Sequence, residues 1–222
     1  MLIRLEEYEN RLEDIYIIQG VGLTSNIYVI GKTEITLIDA GNGARINSLT
    51  NHLQKSELAV EDVVKVIITH AHADHIGGLE DVCQKTHPEI LIHEVEAHSL
   101  PGRIPEQSII KLRGGERVAT EKGVVEVIHT PGHSRGALCL YDRQRRTLFS
   151  RDTVFPGGFF GRCDLEGGDA KALVASLNAL TKLNVDILLP GHEEPVFQHA
   201  DKHIKRSYDT ASNFFTSPFH RI

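Results

Sequence analysis

The stretch Thr69–Gly78, with the sequence THAHADHIGG, places three histidines and one aspartate within six positions. These side chains stand at 70, 72, 74 and 75, directly after the apolar segment VVKVIIT (63–69). Imidazole nitrogens and carboxylate oxygens are the ligands that zinc prefers, and other first-row metals accept them too. So dense a cluster outside a helix is unfavourable unless a cation neutralises it. The stretch therefore predicts a metal centre.

Three further segments repeat this arrangement, in which an apolar strand ends at a tight turn that carries a metal-ligand residue. They are VIHTPGH (127–133), LFSRD (148–152) and ILLPGH (187–192). Because strand ends on one edge of a sheet converge, the loops between them can aim these side chains at a common point. The spacing indicates two metals, with an all-histidine set, a mixed set and a bridging carboxylate: His70, His72 and His133; Asp74, His75 and His192; and Asp152.

Length and composition bound the class of protein. We expect one domain over 1–222, since this length is enough for a core of its own. No apolar run approaches the roughly 20 residues of a membrane span, and a net charge of -6 gives no general attraction to nucleic acid. The N-terminus MLIRLEEYEN lacks the apolar core of a secretory signal, and Cys83, Cys139 and Cys163 fit reduced thiols. A cytoplasmic location is expected.

Hydrophobic periodicity predicts strands in both halves of the chain with helices between and after them. The predicted strands are 14–20, 26–31, 34–41, 63–70, 89–94, 124–130, 137–142, 147–152 and 185–192. The predicted helices are 43–54, with Ile46, Leu49 and Leu53 on one face, 74–85, 170–183 with Asp169 as N-cap, and 198–214. Prolines and glycines predict a loop over 101–115. This order favours an α/β sandwich of two sheets packed face to face with helices outside.

The motifs resemble those of the metallo-β-lactamase superfamily. The pattern HxHxDH, followed by a distant histidine, aspartate and histidine, covers the chain from Asn26 to about Pro195. The segments TPGHSRGALCLY and LLPGHEEP are similar to the later ligand turns of the family, and LIDAG (37–41) is similar to its early aspartate turn. The resemblance implies an αββα sandwich of two mixed sheets with two metals at one edge. It also implies that Asp39 supports the ligands from behind.

The chain departs from the family at one turn, because Arg151-Asp152 stands where the family usually has Gly-Asp. An arginine side chain that points to solvent would accommodate this change.

A two-metal site predicts hydrolysis. Two neighbouring divalent ions lower the pKa of a shared water towards neutrality and so present hydroxide to the substrate. Zinc is the expected metal, and iron and manganese accept the same ligands. Asp74 is expected to act both as a ligand and as the residue that handles the proton. The partner is a small-molecule substrate.

The loop at 152–169 bears on the substrate because it follows the bridging aspartate directly. It is similar to the same stretch in hydroxyacylglutathione hydrolases (glyoxalase II) and persulfide dioxygenases. Arg162 is a candidate to bind a substrate carboxylate, or else it pairs with Asp164, and Phe159 and Phe160 form an apolar wall or belong to the core. Only 30 residues follow His192, too few for the helical domain that helps those hydrolases to hold glutathione. We therefore expect a short glyoxalase II-like enzyme that cleaves a small acyl thioester.

Three alternatives stay open. A persulfide dioxygenase would use a single ferrous iron with two histidines and an aspartate, and GRCD (161–164) resembles the corresponding turn of that group. A lactonase would use the same metals and differ in the shape of its pocket. A metal-binding module without enzymatic activity would use the same fold. The oligomeric state is not determined by the sequence.

Overall fold

The computed structural model describes residues 2–43 and 49–216. The chain divides into two compact units, Met1–Val125 and Glu126–Ile222. No helix in the described part of the chain is long and apolar enough to cross a membrane. The single domain expected over 1–222 stays a prediction.

The first unit contains a seven-stranded mixed sheet with the strands in sequence order. The strands β1 to β4 pair antiparallel, and β4 to β7 pair parallel. Their bounds are Leu2–Arg4 (β1), Ile15–Ile18 (β2), Ile27–Ile30 (β3), Ile35–Ile38 (β4), Val63–Ile68 (β5), Glu89–His93 (β6) and Ile109–Leu112 (β7). Every residue of β2, β3 and β4 is buried, which is why these strands read as continuous apolar runs rather than as alternating ones.

The described residues of this unit contain three α-helices: α1 (Leu49–Gln54), α2 (Ala73–Ile76) and α3 (Leu79–Lys85). The helix predicted over 74–85 is therefore two helices. The break is at Gly78, where a Cβ atom would lie only 2.2 Å from the carbonyl oxygen of Ala40. The backbone that follows the ligand cluster thus passes too close to the β4 edge for any side chain. Of the helix predicted over 43–54, positions 44–48 with Ile46 lie outside the described residues.

The second sheet has the strand order β12-β11-β10-β9-β8. Its strands are Arg117–Thr120 (β8), Gly123–His129 (β9), Leu138–Asp142 (β10), Thr147–Arg151 (β11) and Ile187–Pro190 (β12). Strand β9 crosses the boundary between the units, β9, β10 and β11 pair antiparallel, and β11 pairs with β12 in parallel. The C-terminal ends of β9, β11 and β12 consequently lie at the same edge of the sheet.

The second unit, as far as residue 216, also contains two α-helices, α4 (Ala170–Leu180) and α5 (Ala200–Thr216). Asp169 caps α4 as predicted, since its carboxylate accepts a hydrogen bond from the N–H of Ala172 at 2.9 Å. Leu173, Leu177 and Leu180 lie on one face of α4 and are fully buried, together with Ile204 of α5. This core holds α4 and α5 against the second sheet.

Two expectations about this architecture were wrong. Residues 109–112, expected in a loop, form β7, because their backbone pairs in parallel with β6. The hydrogen bonds of this pairing have more influence on the local structure than the loop preference of the nearby prolines. Arg151 does not point to solvent, since only 1% of its surface is exposed. It ends β11, an inner strand whose residues are all buried, and its φ of 46° is the left-handed value that a glycine would adopt without cost.

Candidate metal centre

The first group of predicted ligands is organised by the shared edge of β4 and β5. Because these strands are parallel and adjacent, Asp39 at the end of β4 lies beside Thr69 at the end of β5. The carboxylate of Asp39 accepts hydrogen bonds from the N–H and the Oγ1–H of Thr69, both at 2.8 Å. It also accepts one from Nδ1 of His75 at 2.6 Å. Asp39 is completely buried, and the supporting role that the family resemblance implies for it stays a prediction.

The structure brings the four ligand-type side chains of this stretch together. Nε2 of His70 lies 3.1 Å from Nδ1 of His72, and the imidazoles of His70 and His75 have centroids 4.0 Å apart. Nε2 of His75 lies 3.5 Å from Oδ2 of Asp74. His70 and His75 are buried, whereas His72 and Asp74 are partly exposed. The group therefore presents its ligand atoms from a buried base towards a more open side.

The second unit assembles the other three predicted ligands in the same way. Asp152 follows β11 and His192 follows the adjacent parallel strand β12, so both stand at one sheet edge, and Nε2 of His192 lies 3.4 Å from Oδ2 of Asp152. His133 comes from the turn after β9, and its Nε2 lies 3.7 Å from the same oxygen. Nδ1 of His133 donates to the carbonyl oxygen of Arg162 at 2.7 Å.

The donor set fits divalent metal ions. A metal with bonds of about 2.1 Å in tetrahedral geometry holds neighbouring ligand atoms about 3.4 Å apart, and the separations of 3.1, 3.5, 3.4 and 3.7 Å bracket that value. In His75 and His133 the hydrogen bond from Nδ1 fixes the proton on that nitrogen. The lone pair of each Nε2 is thereby directed towards its carboxylate neighbour, which is the usual outer support of a metal-bound imidazole.

Close backbone approach fixes the position of Asp152. A Cβ atom on Gly191 would lie 2.0 Å from Oδ1 of Asp152, so only glycine leaves room for the carboxylate at that point. The turn that carries His133 is held by α4, because the hydroxyl of Ser176 donates to the carbonyl of Pro131 at 2.7 Å. Both ligand turns therefore depend on packing that is remote in sequence.

The proposed substrate residues take different positions. The guanidinium of Arg162 makes two hydrogen bonds to Asp164, each of 3.0 Å, and both side chains are exposed. Phe160 is partly buried in the core of the second unit, with its ring 5.8 Å from that of Phe215. Phe159 is 71% exposed. Arg162 thus pairs with Asp164, and Phe160 packs against the core; each is the second of the two alternatives that the sequence left open.

Other residues at the site were not anticipated. Glu96 is buried and accepts a hydrogen bond from the N–H of Ala71 at 2.5 Å, which orients the peptide between His70 and His72. Ser25 donates from Oγ to the carbonyl oxygen of Asp74 at 2.8 Å. Phe155 has its ring 6.2 Å from the imidazole of His192. Nothing in the sequence pointed to Glu96 or Ser25. Phe155 lies in the loop at 152–169, which the sequence analysis had placed near the substrate.

Comparison with known proteins agrees with this geometry. A family model described as the metallo-beta-lactamase superfamily matches residues 20–192. A probable metallo-hydrolase of Methanocaldococcus jannaschii is 33% identical over 195 residues, which cover 80% of this chain and 91% of that protein. The acyl-coenzyme A thioesterase MBLAC2 of Homo sapiens is 27% identical over an alignment of 235 positions, which covers 84% of this chain and 81% of that protein.

Among solved structures, TTHA1623 in a di-iron-bound form matches with a TM-score of 0.66 and 27% identity. The match covers 90% of this chain and 98% of that one. The αββα fold class expected from the sequence, with two mixed sheets and helices, is confirmed by this likeness and by the family match.

Proposed function

Because the chain belongs to the metallo-β-lactamase superfamily and is a metal-dependent hydrolase of that family, we propose that it cleaves acyl thioesters at a dinuclear metal centre. The proposed ligands are His70, His72, Asp74 and His75 in the first unit and His133, Asp152 and His192 in the second, in the two sets expected from the sequence. The observation that carries the proposal is the donor set of each unit, in which the hydrogen bond of Nδ1 orients Nε2 of His75 and of His133 as a metal-binding atom. The likeness to an acyl-coenzyme A thioesterase supports the choice of substrate class.

Divalent ions bound by these side chains would supply a hydroxide at neutral pH and polarise the carbonyl oxygen of the thioester. In the overall reaction the water oxygen bonds to the carbonyl carbon, the carbon–sulfur bond breaks, and a carboxylic acid and a thiol result. Asp74 has the position to handle the proton, since its carboxylate is partly exposed and is held beside Nε2 of His75. It accepts the proton of the attacking water and passes it to the departing sulfur.

The metal is proposed to be zinc, and iron is the first alternative because a similar protein has been solved in a di-iron-bound form. The proposed location is the cytoplasm and the proposed partner is a small-molecule substrate.

The test is a panel of thioesters, lactones and phosphodiesters on protein whose metal content has been measured. We expect thioester hydrolysis that a chelator abolishes and that the Asp74→Asn variant lacks. The matched control is Asp81→Asn, which makes the same chemical change at an exposed position on α3 and should retain full activity.

Three results would contradict the proposal. Thioester turnover that survives Asp74→Asn would remove this residue from the site. Preference for a lactone or a phosphodiester would leave the hydrolase but refute the thioester. A single iron per chain with thiol-dependent oxygen uptake would replace hydrolysis by the persulfide dioxygenase reaction.

A further inference from the structure

The segment after Asp152 forms a short hairpin with two different faces. Val154 and Phe160 make an antiparallel bridge, and the N–H of Phe155 donates to the carbonyl of Phe159 at 3.0 Å. Because side chains alternate along a strand, Val154 and Phe160 share one face, and Phe155 and Phe159 share the other. Val154 is fully buried and Phe160 belongs to the core, so the first face points inward. The face with Phe155 and Phe159 therefore points outward.

The outward face begins at the metal ligands. The ring of Phe155 lies edge-on to the imidazole of His192 with centroids 6.2 Å apart. Phe159, directly across the hairpin from Phe155, exposes 71% of its surface. An apolar surface thus extends from a proposed metal ligand to the exterior of the second unit. A ligand group that covers this apolar surface removes it from water, which is favourable.

Helix α5 holds this hairpin in place. The hydroxyl of Ser207 donates to the carbonyl oxygen of Phe159 at 2.7 Å, and the N–H of Gly157 donates to Nδ1 of His203 at 2.9 Å. Ser207 is completely buried. The backbone that carries the outward aromatic pair is therefore held in place before any ligand binds, which reduces the entropy lost on binding.

The pairing of Arg162 bears on the charge of the ligand group. Arg162 would be the natural partner of a substrate carboxylate, but two hydrogen bonds engage its guanidinium with Asp164. Asp164 also balances its charge. Binding an uncharged acyl group does not require this ion pair to break.

We propose that Phe155 and Phe159 bind the acyl chain of the thioester, so that the enzyme prefers long, uncharged acyl groups over short ones. This inference rests on the proposed thioester hydrolysis and names the substrate class of the same site. The sulfur and carbonyl would lie at the metal ligands beside Phe155, with the chain running over Phe159 towards the outside.

The kinetic test compares acetyl, hexanoyl and dodecanoyl thioesters of N-acetylcysteamine. In the wild-type protein kcat/KM should rise along this series. In Phe159→Ala the ratio of kcat/KM for dodecanoyl to that for acetyl should fall about tenfold, because part of the apolar contact with one phenyl ring is lost. The control is Tyr8→Ala, which removes an exposed aromatic ring from the first unit and should leave that ratio unchanged.

A second measurement does not depend on turnover. The thioether S-dodecyl-N-acetylcysteamine cannot be hydrolysed, and its Kd can be determined by titration calorimetry. We expect Phe159→Ala to raise this Kd about tenfold and Tyr8→Ala to leave it unchanged.

The two proposals fail in different ways. If the wild-type protein hydrolyses thioesters but Phe159→Ala keeps the full preference for dodecanoyl, the acyl-chain inference is wrong and the hydrolase stands. If no thioester is hydrolysed, the proposed function fails, and the thioether titration alone tests whether the aromatic pair binds an apolar chain. Equal thioether affinity in the wild type and Phe159→Ala would then overturn the role of the aromatic pair.

Discussion

Replacing Asp39 by asparagine tests whether this residue sets the protonation of a metal ligand. Asparagine has nearly the same size as aspartate and tolerates the left-handed backbone that Asp39 adopts, with a φ of 61°. The exchange therefore leaves the turn intact and alters only the hydrogen bonding. In the wild type three donors meet the carboxylate: the N–H and Oγ1–H of Thr69 and the Nδ1–H of His75.

An amide cannot satisfy these three donors. If its oxygen keeps the N–H of Thr69, its NH₂ group faces the hydroxyl of Thr69, which can turn to accept, and Nδ1 of His75. His75 must then move its proton from Nδ1 to Nε2, the nitrogen proposed to bind the metal. Turning the amide over directs the NH₂ group at the N–H of Thr69, which cannot accept. The first arrangement has the lower free energy, and in it the proton on Nε2 of His75 prevents this nitrogen from binding a metal.

The expected loss in metal affinity is about 10- to 100-fold, the usual effect of removing the outer support of a ligand, or about 1.4–2.7 kcal/mol. The metal-free protein should also lose about 1–3 kcal/mol of stability, because Asp39 and His75 are completely buried and their charged hydrogen bond is replaced. Competition with a chromogenic chelator measures the first effect, and denaturant unfolding of metal-free protein measures the second.

The control is Asp14→Asn. Asp14 also has a positive φ, of 55°, and is buried, but it pairs with Lys32 and Lys122 rather than with a ligand. This variant should lose stability without losing metal affinity. Unchanged metal affinity in Asp39→Asn, or an equal loss in Asp14→Asn, would refute the reasoning.

Two further predictions concern packing and pH. Gly191→Ala places a Cβ atom 2.0 Å from the carboxylate of Asp152, so it should lower the stability by about 1–3 kcal/mol and reduce the metal content. The control is Gly102→Ala, whose Cβ would have nothing within 4 Å and which should change neither property. Thermal unfolding measures the stability, and metal analysis measures the metal content. Hydrogen bonds from the backbone N–H groups of residues 32–34 lower the pKa of Glu121 from 4.5 to about 2. Its ionised form therefore stabilises the fold above pH 4.5, and this stabilisation disappears as the pH falls towards about 2. Because Glu121 is exposed, solvent screening makes the stabilisation small. Acid unfolding of Glu121→Gln should lack this component, and identical acid profiles for the two proteins would contradict it.

The places of the proposed ligand residues at strand ends were predictable because each depends on a local pattern. A buried strand, a turn and a polar residue at its end are visible in the sequence at His70, His133, Asp152 and His192. Parallel pairing of β4 with β5 and of β11 with β12 then brings such ends together. The N-cap at Asp169 was predictable for the same reason, since a cap and its helix are neighbours along the chain.

The errors arose where distant residues decide the outcome. Residues 109–112 have the composition of a loop margin and become β7 only because β6 offers a free edge for pairing. The side chain of Arg151 is buried because its strand lies inside the sheet.

The sequence alone determined the chemistry of this protein, because the type and spacing of the ligand residues are local properties and suffice to indicate metals and hydrolysis. Only the tertiary structure decided which side chains support and surround the ligands. Glu96 reaches Ala71, the carbonyl of Arg162 orients His133, and α5 holds Phe159 outward through Ser207. Each of these contacts joins residues 25 to 48 positions apart, and such contacts depend on how the chain folds back on itself.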